Sequence, residues 1–85
     1  MNIDKVLAIL RAIAILDSLK QEQGSYRLSE VARWACMDRT TTWRYLGSMV
    51  EWKLLSTVVG QWSGKECTFY KIEEGGRDLI RVYVN

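Results

Sequence analysis

Apolar residues recur every three or four positions from Ile3 to Lys20, which predicts a first helix over that span. Placed on a wheel at about 100° per residue, Ile3, Val6, Ile9, Leu10, Ile13, Leu16 and Leu19 fill a broad arc. Leu7, Ala8, Ala14 and Ile15 fall outside its centre, among Asp4, Arg11 and Ser18. A monomer of this size would leave them wet, so the helix calls for a second cover. Either a partner subunit or the C-terminal segment of the same chain would supply it. Residues 21–25 are polar and include Gly24, and read as the loop that ends this helix. Tyr26, Arg27 and Leu28 are placed to add a short strand.

Two further helices follow, joined by a tight turn. Ser29, just before Glu30, Val31 and Ala32, is a candidate N-cap for a helix running to about Ala35. Cys36 and Met37 interrupt the pattern, and Asp38 caps a helix from Arg39 to about Trp52. In that helix Thr42, Leu46, Met49, Val50 and the stem of Lys53 form one apolar stripe. The opposite face carries Arg39, Thr40, Thr41, Trp43 and Arg44, side chains that donate to phosphates and read base edges. The period then changes to that of strands. Residues 56–61 and 66–72 are rich in Val, Thr, Phe and Tyr, with Trp62, Ser63, Gly64 and Lys65 as the turn between them. Thr68, Tyr70 and Ile72 are expected to face inward, and Cys67, Phe69 and Lys71 outward.

The stretch from Leu28 to Leu55 resembles the helix-turn-helix of winged-helix transcriptional regulators of the MarR, IclR and ArsR kind. Leu28, Ser29, Glu30, Val31 and Ala32 match the opening of that pattern, Met37 and Asp38 the end of its turn, and Thr41, Arg44, Leu46, Met49 and Leu54 its second helix. Cys36 and Lys53 stand where the pattern has glycine. A left-handed residue there costs a side chain with a Cβ about 1 kcal/mol or more, so a different construction of turn and helix end is expected. Trp34 falls where the pattern has a small residue, and core packing is the reading given to it. The run from Tyr70 to Ile80 resembles the strand-to-helix passage that closes the wing, with Glu73 in place of the capping threonine. Leu79, Ile80, Val82, Tyr83 and Val84 then end the chain on apolar residues that call for a docking surface.

The resemblance implies a mainly α fold with a small β-hairpin wing, a three-helix core plus a C-terminal helix. It also implies a sequence-specific regulator of double-stranded DNA, with the recognition helix in the major groove and the wing on the flanking groove or backbone. The DNA-binding set is then Ser29, Arg33, Arg39, Thr40, Thr41, Trp43, Arg44 and Lys65. A homodimer would be formed through Leu7, Ile15, Leu79, Ile80 and Tyr83. The alternative is a protein-interaction winged helix anchored by Trp43, Trp52 and Trp62.

Composition narrows these readings. At 85 residues, 48% hydrophobic and 26% charged, the chain reads as one globular domain without a separate effector domain, so no small-molecule effector is visible. Net charge is only +2, but residues 25–72 hold seven basic and four acidic side chains, a local surplus where the recognition helix and hairpin lie. With no histidine and two cysteines, a closed zinc site is all but excluded and no cofactor is expected. No nucleophile with its base is found, so the chain reads as a non-enzyme. Charges break up the N-terminal apolar run, which implies neither membrane span nor targeting segment and a cytoplasmic protein.

Overall fold

The computed structural model describes residues 1–83. Helix α1 (Ile3–Lys20) is followed by strand β1 (Tyr26–Arg27), helices α2 (Leu28–Ala35) and α3 (Arg39–Glu51), strands β2 (Leu55–Trp62) and β3 (Lys65–Ile72), and helix α4 (Glu74–Tyr83). The strands form one antiparallel sheet in the order β1-β3-β2. Three helices plus a hairpin and a C-terminal helix make a winged helix-turn-helix.

The core is built around α1. Ile9, Leu10 and Ile13 are fully buried against Val31 of α2, Leu46 and Met49 of α3, and Leu55, Tyr26 and Ile72 of the sheet. Burying each such Leu or Ile contributes about 1.5–3 kcal/mol. Helix α4 folds back on α1, placing Leu79 and Ile80 against this core. Gly76 makes that approach possible, because a Cβ there would lie 2.5 Å from the Leu54 carbonyl oxygen and 3.0 Å from Leu10. The expectation that a monomer leaves Leu7 wet is therefore corrected: Leu7 is only 5% exposed, whereas Ile15 is 45% exposed. Val84 lies outside the described residues.

Three helix ends close in the same way, each on a left-handed residue that is not glycine. Gln21, Cys36 and Lys53 have φ of 57, 57 and 62°. Backbone bonds from Glu22 to Asp17, Met37 to Ala32 and Leu54 to Met49 complete the motif. The expectation of a different build at Cys36 and Lys53 is corrected, since the left-handed geometry is kept despite the Cβ. Lys53 is accordingly exposed beyond the helix end instead of extending the apolar stripe. Gln21, not Gly24, ends α1, and the Gly24 N–H donates to Asp17 Oδ1 at 2.8 Å.

Other local expectations are also revised. The cap of α2 is Arg27 and makes no side-chain bond; Ser29 lies inside the helix, its Oγ accepting from Arg27 Nη1 at 2.9 Å. Trp34 is 45% exposed, while its neighbour Ala35 packs on the core. The hairpin turn is only Ser63-Gly64, with φ of 52 and 75°, so Trp62 and Lys65 pair across the ladder. Tyr70 and Ile72 face inward as expected, but Thr68, nearer the tip, is exposed because the wing projects past the core. The Glu73 carboxylate accepts from Ser56 Oγ at 2.5 Å, while the Glu73 carbonyl accepts the Arg77 N–H at the start of α4.

Candidate nucleic-acid interface

The start of α3 is set by Asp38, whose Oδ2 accepts the Thr41 N–H at 2.9 Å. That bond holds the Asp38 carboxyl below its ordinary value, so a negative charge sits at the positive end of the helix. Thr42 Oγ1 donates to the Asp38 carbonyl at 2.7 Å, satisfying a hydroxyl that is wholly buried. With Thr42, Leu46 and Met49 turned into the core, Arg39, Thr40, Trp43 and Arg44 are exposed and Thr41 is half-buried. The apolar face of the helix thus fixes which side chains are presented to solvent.

Arg39, Thr40 and Trp43 form one shallow surface with Leu28. Arg39 and Trp43 also line a cleft with Ser29, Arg27, Trp62 and Tyr70, between α2, α3 and the wing. Arg44 lies on the other flank of α3, with Gly47, Ser48 and Glu51. Arg33 and Lys65 are exposed but line none of these surfaces.

Arg27 was missed by sequence reasoning as a site residue. Its guanidinium stands 3.7 Å from the centre of the Trp62 ring, and so ties the wing to the first turn of α2. The two meet because β1 pairs with β3, setting Arg27 opposite Phe69. The only sequence signal was a basic residue two positions before Ser29. Among the described residues no group of three His, Cys, Asp or Glu side chains is placed to hold a metal ion. Among them, too, no helix is long and apolar enough to cross a membrane.

Residues 3–58 match the model of the IclR helix-turn-helix domain. The chain belongs to that family, one of DNA-binding transcription regulators and not of enzymes. No curated protein matches the sequence. Two solved structures share the fold. One, from work on how 6-hydroxynicotinic acid regulates DNA binding by BpsR of Bordetella bronchiseptica, has a TM-score of 0.73 at 19% identity, over 94% of this chain and 55% of that one. The other is RV1404 from Mycobacterium tuberculosis, with a TM-score of 0.64 at 19% identity, over 87% of this chain and 47% of that one. The chain thus spans about half the length of the structures it resembles.

Proposed function

We propose that the protein reads a specific sequence in double-stranded DNA, with α3 in the major groove and the wing on the flanking groove or phosphate backbone. One observation carries this reading: Arg39, Thr40, Trp43 and Arg44 are exposed on a helix whose other face is anchored by side chains with no exposure at all. Such a helix presents donors in a fixed orientation, as base-edge recognition requires. Ser29, Arg33 and Lys65 serve as phosphate contacts around it. Two copies pair through α1 and α4, where Ile15, Leu19, Val82 and Tyr83 remain exposed, so that two recognition helices address two half-sites. Leu79 and Ile80 border this surface. The reading takes the chain as one domain that acts in the cytoplasm.

A gel shift against random-sequence duplex at about 50 and 200 mM salt tests the reading. Arg33 and Lys65 from each of the two subunits make four cationic phosphate contacts, which correspond to a loss of affinity of about a hundredfold between those conditions. Salt-insensitive binding would exclude it and favour a protein-interaction module anchored by the exposed tryptophans.

A further inference from the structure

The DNA-binding reading uses Arg39, Trp43 and Ser29 one by one, but not the aromatic cleft that they line together with Arg27 and Trp62 between α2, α3 and the wing. Trp62 is the last residue of β2, beside the hairpin turn, and is 52% exposed even with the Arg27 guanidinium stacked on its ring. Arg27 is in turn held by its bond to Ser29 Oγ, so the stack is supported from α2 as well as from the hairpin. Trp43, 59% exposed, and Arg39 line the same cleft from α3, and Tyr70 lines it from β3. The cleft holds two indoles and two guanidiniums and no carboxylate.

That composition selects a flat ring that carries an anion. Indole faces attract planar π-systems, and arginine beside them attracts phosphate. At about 370 Å³ the cleft suits one planar group and not a duplex. A paired base in B-DNA has both faces covered by its neighbours, so an indole meets a base face only where the stack has opened. We propose, building on the DNA-binding reading, that this cleft takes up a single unstacked nucleotide of the bound DNA, its base on the tryptophans and its phosphate at the arginines. Sites with an unpaired or easily unstacked base are then preferred over fully paired ones. Arg27 has two roles here: it holds Trp62 over the cleft and, with Arg39, faces the phosphate.

The test compares two labelled duplexes of the same sequence, one fully paired and one with a single unpaired thymine at its centre, titrated by fluorescence anisotropy at low salt. Wild type binds the bulged duplex tighter by about fivefold or more. That ratio falls to one in Trp62→Ala and in Trp43→Ala, and is kept in Trp62→Phe, which retains a ring. Circular dichroism of each variant confirms that the fold is intact, as both indoles are more than half exposed. Thymidine monophosphate does not displace the bulged duplex at equal concentration, because the strand supplies the remaining phosphate contacts. Equal binding of the two duplexes by wild type overturns this proposal alone, and a preference that survives both alanine variants also overturns it. Displacement by the free nucleotide at equal concentration removes the assignment to a DNA strand. Failure to bind either duplex removes the DNA reading and this proposal with it.

Discussion

The Asp17 carboxylate accepts the Tyr26 hydroxyl at 2.5 Å, joining the last turn of α1 to the first residue of the sheet. The same carboxylate takes the Gly24 N–H at 2.8 Å and lies 3.5 Å from Arg77 Nη2 of α4. One side chain thereby connects α1, the loop after it, β1 and α4. It is the junction on which the frame that carries the recognition helix closes.

Burial first, and the bond to Asp17 second, push the Tyr26 hydroxyl well above its ordinary value of 10.0. A group whose value is raised on folding adds stability that is intact below the unfolded value and is lost as pH rises through the folded one. Thermal melts should therefore show stability falling from about pH 10 upward. Tyr26→Phe should flatten that fall and cost about 1–3 kcal/mol at neutral pH, because Asp17 loses a buried donor. Burial also raises Tyr70, which leaves a residual alkaline slope in the variant.

Cys36 and Lys53 hold left-handed backbone that glycine adopts without strain. Cys36→Gly and Lys53→Gly should each raise stability by about 0.5–1 kcal/mol, since relief of the Cβ clash exceeds the added flexibility of the unfolded chain. Urea unfolding midpoints measure it. A lower midpoint in both would mean that side-chain contacts outweigh the backbone strain.

Arg39→Ala and Arg44→Ala should each weaken duplex binding by about 1–3 kcal/mol without lowering the melting temperature, because both side chains are exposed on α3. Anisotropy titration beside a melt checks both halves of the statement. Unchanged affinity in both variants would take α3 out of the groove.

Lys65 follows the hairpin turn directly and is exposed. Lys65→Ala should reduce the slope of log affinity against log salt by about one, with sequence preference unchanged. An identical slope would show that the wing tip does not touch the backbone.

Ile15→Glu should shift the protein from dimer to monomer at micromolar concentration, as measured by sedimentation, because this exposed residue lies at the centre of the uncovered face of α1. A wild type that sediments as a monomer under the same conditions would mean that α1 needs no cover beyond that supplied within the chain.

Much of this protein was legible one element at a time. The bounds of α1, the start of α3 at Asp38 and the presentation of Arg39, Thr40, Trp43 and Arg44 depend on a helical period and a cap, and both are set by neighbours within a turn or so. The two strands and the glycine of their turn are local in the same sense, so the wing too could be placed in advance.

What only the tertiary structure decided involves residues far apart in the chain. Leu7 is buried, while Ile15 and Trp34 are exposed, a choice among apolar residues that periodicity alone does not make. Arg27 meets Trp62, and Asp17 meets Arg77, because strand register and the return of α4 bring them together. Cys36 and Lys53 are held left-handed against their own preference. Packing of the joined elements supplies many small contacts at once, and their sum exceeds the roughly 1 kcal/mol that a single residue's backbone preference can oppose.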